Sequence, residues 1–300
     1  MIVFGTDKPR WYKHKGKFLP SVTTILSLLD IPFLKQWAAD CAVENLEEFI
    51  LDFGLPEKGE SKSGYLKRLQ NEFVLQGEVA KYEYKDRSKQ ATDLGTLIHN
   101  DCEAYLKALI AGTASTEPIE IDEDSLADEE FRRIKIKANF RAWCVKHEVQ
   151  VLATEKLVTN DTSYKGRMDI ACVLNAFWLK GDDNKETKEF RKIRVKALVD
   201  IKTSKQYSAD YGMQTAAYKH AYFEDVEQTC LEDAGDARAY LSGLKAGKKL
   251  PIPICNGVLR IDKVSCRCNY KDYTPFYERD LEGFRLLNEF YNLYNSPKGK

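Results

Sequence analysis

An aspartate, one spacer and a lysine close the run Val195-Lys196-Ala197-Leu198-Val199-Asp200-Ile201-Lys202. Side chains alternate with period two along a strand, so Asp200 and Lys202 emerge on one face where the apolar run leaves the core. Upstream, Tyr164-Lys165-Gly166-Arg167-Met168-Asp169 leads into a second apolar run, Ile170 to Leu174. Downstream, Gln214 and Tyr218 lie one helical turn apart. Two carboxylates arriving on separate strands, one with a lysine beside it, suit a divalent metal held against a phosphate.

Mg²⁺ and Mn²⁺ prefer oxygen ligands, and Mn²⁺ also accepts imidazole. Asp169 and Asp200 are therefore candidate ligands of one ion, the Ile201 carbonyl is a third, and His99 is a fourth. Such an ion polarises a scissile phosphate and acidifies a bound water, and a second ion, if present, stabilises the leaving oxygen. Lys202 is the candidate for orienting that water or for stabilising charge developing on the phosphate. Glu103, one turn after His99, would orient the imidazole or fix its helix. Lys165 and Arg167, on either side of Gly166, are candidate substrate-binding bases.

These groups need a scaffold, and the pattern predicts one. Residues 10–21 read as a hairpin around a His-Lys-Gly-Lys turn. Ser21 and Thr23 offer caps for a helix to Leu29, and a second helix runs from Pro32 toward Phe49. Residues 52–65 read as a loop. Helical pattern returns from Leu66 to Tyr84, and Gly95 opens another helix with Ile98, Cys102, Tyr105 and Leu109 on one face. The acidic stretch 113–128 reads as an exposed linker. Phe131, Ile134, Ala138, Ala142 and Val145 mark the buried stripe of a further helix. Strands follow at 149–158, 165–174 and 193–202, the last two separated by a charged excursion over 175–195. The helix of Gln214, a strand at 258–261 and a final helix with Phe284, Leu287, Tyr291 and Tyr294 as its stripe complete the chain. The expectation is one α/β domain: a mainly helical N-terminal region (1–90), a core with a small mixed sheet flanked by helices (91–225), and C-terminal strands and helix (226–300).

The chain carries 46 basic and 46 acidic residues, a formal net charge of +0, which as a global figure gives no sign of a nucleic-acid partner. The charge is segregated, however. Residues 164–206 hold eleven Lys/Arg against six Asp/Glu, whereas 117–130 hold eight acids and no base. The basic half surrounds the candidate metal ligands, where phosphates need it. No apolar run approaches the ~20 residues of a membrane span. The opening residues lack a signal peptide's pattern, and eight cysteines in 300 residues are too sparse for a disulfide scaffold. A soluble, cytoplasmic protein with free thiols and no membrane partner is the expectation.

Taken in order, Gly95, His99 and Glu103, then Gly166 and Asp169, then Asp200 and Lys202, then Gln214 and Tyr218 resemble the RecB-like exonuclease branch of the PD-(D/E)XK nuclease superfamily. That branch reads Gly-x-x-x-His-x-x-x-Glu, Gly-x-x-Asp, Asp-x-Lys and Gln-x-x-x-Tyr, and the match covers residues 90–225 well. An acid ahead of the glycine is common there, and Glu155 fills that place. The opening Pro20-Ser21-Val22-Thr23-Thr24-Ile25-Leu26 looks like the start of phage-encoded members. The resemblance implies a restriction-endonuclease-like core. It implies metal binding by His99, Asp169, Asp200 and the Ile201 carbonyl, catalysis by Asp169, Asp200, Lys202 and Glu155, and Gln214 and Tyr218 lining a DNA channel or supporting the site. It implies a Mg²⁺- or Mn²⁺-dependent DNA exonuclease of phage or bacterial recombination, repair or replication. DNA is then the partner, with a single-strand-binding or recombinase protein as a further one.

Two rivals share the residues: a structure-specific endonuclease, and a catalytically silent DNA-binding protein that kept the fold. Some relatives hold an iron–sulfur cluster on one early and three late cysteines. Cys41, Cys255, Cys266 and Cys268 satisfy that count, but no Cys-x-x-Cys pair is present, which argues against a cluster. Lys185, Lys188, Arg191, Lys192 and Arg194 of the charged excursion would either contact DNA or form a solvated extension. Tyr207 and Tyr211 would stack on bases or pack at a rim.

Overall fold

The structure, a computed structural model, describes residues 10–29, 32–115, 117, 119, 128–160, 163–180, 189–223 and 252–295, and omits the side chains of 32–35, 128, 129, 177–180, 189–192 and 295. The chain divides into two compact units. One comprises residues 1–29 and 98–300, the other residues 30–97.

The first unit is mixed α/β. A hairpin of β1 (Trp11–His14) and β2 (Lys17–Pro20) turns at Lys15-Gly16, both at positive φ. Helix α1 (Val22–Leu26) follows, capped as expected by the Ser21 hydroxyl, which accepts the Thr24 amide at 3.0 Å. The main sheet has five strands in sequence order: β3 (Gln150–Asn160), β4 (Tyr164–Lys180), β5 (Glu189–Lys202), β6 (Ile254–Ile261) and β7 (Cys268–Asp272). All neighbours are antiparallel except β5 and β6, which are parallel. A parallel pair requires a crossover, and helix α5 (Asp210–Phe223) begins it. Helix α4 (Asp128–Lys146) precedes the sheet and helix α6 (Tyr277–Asn295) follows it. One core joins α1, the sheet, α5 and α6 through Val22, Ile25, Met168, Leu198, Tyr218 and Phe284.

In the second unit, α2 (Pro32–Asp52) packs with the N-terminal part of α3 (Lys62–Ile110), whose residues from Ile98 on belong to the first unit. Among the described residues, no helix is long and apolar enough to cross a membrane.

Four expectations are corrected. Leu66–Tyr84 and the helix at Gly95 are one continuous helix, beginning inside the predicted 52–65 loop; the intervening Lys85, Arg87, Lys89, Gln90 and Ala91 are good helix formers that carry it through. The buried face of α4 is Ile136, Phe140, Trp143 and Cys144, while Val145 is 48% exposed; two stripes share the helical spacing, and the one with the larger rings is buried. Tyr294 is exposed rather than part of the α6 stripe. Strand β7 was not foreseen, because Cys268-Asn269-Tyr270-Lys271-Asp272 carries little apolar signal. The charged excursion continues β4 and β5 as an extended antiparallel pair to Lys180 and Glu189. Its turn, with Lys185 and Lys188, lies outside the described residues, as does most of the acidic stretch 113–128.

Candidate active site

The C-terminal end of α3 is set by Ile98, Cys102 and Leu106, all buried, so His99 and Glu103 stand one residue further round the helix. Strand β3 faces β4 with Thr154 opposite Ile170 and Lys156 opposite Met168. Glu155 and Asp169 therefore fall opposite each other between those two pairs. Glu155 has φ +50°, a left-handed conformation that a non-glycine residue adopts only at a cost. Strands β4 and β5 are paired from the distal end as far as Ile170 and Val199. Past that point they part, and Asp169, Asp200, Ile201 and Lys202 border the gap. Asp169 bridges it: its Oδ2 accepts the Ile201 amide at 2.6 Å, and its own carbonyl accepts the Thr154 hydroxyl at 3.0 Å.

One ligand atom each from His99, Glu155 and Asp169 lie within 4.8 Å of one another. His99 Nδ1 is 3.8 Å from Asp169 Oδ2. One nitrogen and two carboxylate oxygens, partly buried and converging, are a donor set that Mg²⁺ or Mn²⁺ accepts. Held there, such an ion would supply Lewis acidity to a phosphoryl oxygen. Asp200 is not in that triad. It is 2% exposed and its Oδ2 lies 2.6 Å from Lys202 Nζ, so the period-two expectation for this pair holds. The Ile201 backbone lies near enough to His99 to favour its charged form, against burial.

The electrostatics follow from crowding charges in a half-closed gap. Burial, then Asp200, raises the Asp169 carboxyl well above the ordinary range. Burial, then Glu103, raises Glu155, and Arg167 opposes this from 3.7 Å. Burial lowers His99, against the pull of Asp200, which favours the neutral imidazole that a metal requires. Burial works against the charge on Lys202, but Asp200 and Asp169 outweigh it and raise the ammonium above its usual value. Carboxylates resisting ionisation beside an imidazole held neutral are what a cation would relieve.

Behind the site, Gln214 and Tyr218 are buried, and Gln214 donates to the Tyr218 hydroxyl at 3.3 Å. The Tyr218 ring lies against Gly166, where a Cβ would come within 2.5 Å of Cε1. That contact gives Gly166 its reason. Of the two roles expected for Gln214 and Tyr218, lining a DNA channel or supporting the site, their burial behind β4 fits the second. Arg167 is exposed and reaches the site through Glu155. Lys165 is half-buried with its ammonium 5.9 Å from the Tyr12 ring centre. Glu103 is ion-paired to Lys107 at 2.5 Å. Arg194 donates to the Glu148 carbonyl at 2.8 Å, which ties it to the fold. Tyr211 bonds Ser204 at 2.9 Å and lies 5.4 Å from the Lys202 ammonium. The resemblance set Glu155 in the site, but the sequence carried no sign of its left-handed φ; its place opposite Asp169 follows from counting back along an antiparallel register.

Of the four cysteines that satisfy the count for a cluster, Cys41 is in the second unit and Cys255, Cys266 and Cys268 are in the first, none of them in a disulfide. Cys230 lies outside the described residues. A scan against models of known protein families finds no match for this chain, and a search of curated proteins finds none either.

Proposed function

We propose that this protein is a Mg²⁺- or Mn²⁺-dependent deoxyribonuclease, an exonuclease of the RecB-like PD-(D/E)XK type with a restriction-endonuclease-like core. The observation that carries the reading is the convergence of His99, Glu155 and Asp169 within 4.8 Å beside the Asp200–Lys202 ion pair. A metal triad alone is common chemistry. A triad flanked by a buried acid–lysine pair, at a gap between two strands, suits phosphodiester hydrolysis in particular.

In this reading His99, Glu155 and Asp169 would hold the ion, and Asp200 fixes the Lys202 ammonium. Lys202 then orients the attacking water or meets charge developing on the phosphate. Arg167 sits at the mouth for a neighbouring phosphate. Reading of ends or structure rather than base sequence fits a site without base-reading groups. Recombination, repair or replication of phage or bacterial DNA, alongside a single-strand-binding or recombinase protein, is the setting such an activity serves.

The test is digestion of linear and closed circular DNA, single- and double-stranded, with Mg²⁺, Mn²⁺ or EDTA. Metal-dependent loss of linear DNA alone establishes the exonuclease. Cutting of closed circles moves the assignment to the endonuclease, and DNA binding without turnover under any metal leaves a silent binding protein.

A further inference from the structure

The turn between β6 and β7 is built more firmly than a connector needs. Asp262 Oδ1 accepts the amides of Val264 and Ser265 at 3.0 and 2.8 Å, and the Asp262 amide donates to the Arg267 carbonyl at 3.0 Å. From α4, Asn139 donates to the Cys266 carbonyl at 2.8 Å, and the buried Cys266 holds φ +58°. At the apex of this pinned turn Val264 is 77% exposed, flanked by Lys263 and Arg267. Burial does not explain a valine there, and turn chemistry favours polar residues.

The turn stands at the same end of the sheet as the catalytic lysine. Lys202 is the register partner of Arg260, and Val264 follows four residues later, at most ~13 Å along the chain. Beside it, Tyr207 is fixed by its hydroxyl to the Asn269 carbonyl at 2.8 Å, with Arg260 and Lys271 at 5.4 and 5.1 Å from its ring centre. Residues 258–271 carry four bases and one acid, and that acid, Asp262, is committed to the turn amides and to Arg260. Burial, and after it the charge of Lys205, lowers the Lys263 ammonium from its usual value. Like charges gathered on a rigid surface cost free energy that an anion returns.

We propose that the β6–β7 turn and the rim of Tyr207 form a guide for a single nucleic-acid strand at the active site, with Lys263, Arg267 and Lys271 holding successive phosphates and Val264 against an unstacked base. Fixed cations beside an exposed apolar apex and an anchored ring match a polyanion that also presents flat apolar faces. The inference rests on the nuclease reading for the strand's destination, but not for its binding.

The experiment measures binding of a fluorescein-labelled single-stranded oligonucleotide in EDTA across a salt series, with its cleavage in Mn²⁺ followed in parallel. Lys263→Ala/Arg267→Ala/Lys271→Ala is compared with Lys58→Ala/Lys62→Ala/Lys67→Ala, a control of equal charge change in the other unit. The rim variant is expected to weaken low-salt binding on the order of tenfold or more and to reduce the slope of log K against log salt by about 2, from ~0.7 per phosphate contact on single strands. The control changes neither, and Val264→Ser weakens binding by a smaller factor with the slope unchanged. An active enzyme whose rim variant keeps the wild-type slope overturns the guide and leaves the nuclease standing. A wild type that binds the strand and loses slope in the rim variant, yet cleaves nothing, supports the guide and sinks the hydrolase. A wild type that neither binds nor cleaves overturns both.

Discussion

Between Asp30 and Leu97 the buried apolar side chains, among the described residues, are Cys41 and Ala80; every other member of the core belongs to the sheet-bearing unit. The helical unit leaves Leu51, Leu55 and Leu75 more than half exposed. Ring contacts and ion pairs hold it instead. Phe53 meets Phe49 and Tyr65 at 5.5 and 5.7 Å, and Arg87 bonds Glu44 and Glu83 at 2.5 and 2.9 Å. The difference shows where precision is kept. A catalytic constellation needs neighbours locked by packing, and every candidate catalytic group lies in the unit that has such neighbours. Substitutions in the first unit should therefore act on chemistry or on cooperative stability. Those in the second should act weakly and locally.

The largest expected effect is on turnover. Asp200→Ala and Lys202→Ala each remove half of the buried ion pair and leave the other charge unmatched. DNA hydrolysis should fall by on the order of 10³-fold or more, measured as initial release of acid-soluble nucleotide. A residual rate within tenfold of wild type would remove this pair from the chemistry.

Metal binding comes next. Asp169 ionises in the fold only against burial and Asp200. A carboxyl raised in this way disfavours the folded state as pH climbs past its unfolded value, and a bound cation offsets that loss. Mn²⁺ should therefore raise the melting temperature more at pH 8 than at pH 5, worth about 2.7 kcal/mol at a hundredfold excess over its Kd. Asp169→Asn should remove the metal response and stabilise the metal-free protein at neutral pH. A pH-independent shift that survives in Asp169→Asn would place the ion elsewhere.

Two substitutions test the packing behind the site. Gly166→Ala drives a methyl into the Tyr218 ring and should cost about 1–3 kcal/mol in denaturant unfolding. A large part of that cost should be recovered when Tyr218→Leu is added, because the two residues touch. Glu155→Gly should do the opposite of most active-site changes. It removes the ligand, so cleavage falls, yet it relieves a left-handed φ and should stabilise the metal-free fold by up to ~1 kcal/mol. Loss of stability in Glu155→Gly would mean that the side chain, not the backbone, sets the local energetics.

These tests also mark what could be read from the chain alone. The Asp200–Lys202 pair, the Ser21 cap and the strands at β4 and β5 were legible because period-two alternation and side-chain capping are local rules. His99 was placed beside Asp169 by motif order. Glu155 entered the site only through the resemblance; its left-handed φ was not legible, because the residue types of that strand give no turn signal. The continuous α3 was missed for a different reason: Gly95 suggests a helix start, but its cost of about 1 kcal/mol is spread over a helix with many good formers.

The smallest effect belongs to the second unit, and it decides whether the comparison is right. Arg87 is joined there to Glu44 on α2 and Glu83 on α3. Both partners reach solvent, and exposed pairs contribute between zero and ~1 kcal/mol. Arg87→Ala should therefore lower stability by less than ~1 kcal/mol, weaken further the salt dependence of unfolding, and leave DNA hydrolysis and the Mn²⁺ shift unchanged. Because α3 carries residues of both units on one helix, the informative measurement is hydrogen exchange along it. Faster exchange confined to residues before Leu97 means that the helical unit opens without disturbing His99. Faster exchange running through His99, with a weaker Mn²⁺ response, would mean that the ion pairs of the second unit help to hold the metal ligand, and the division of labour between the two units would have to be withdrawn.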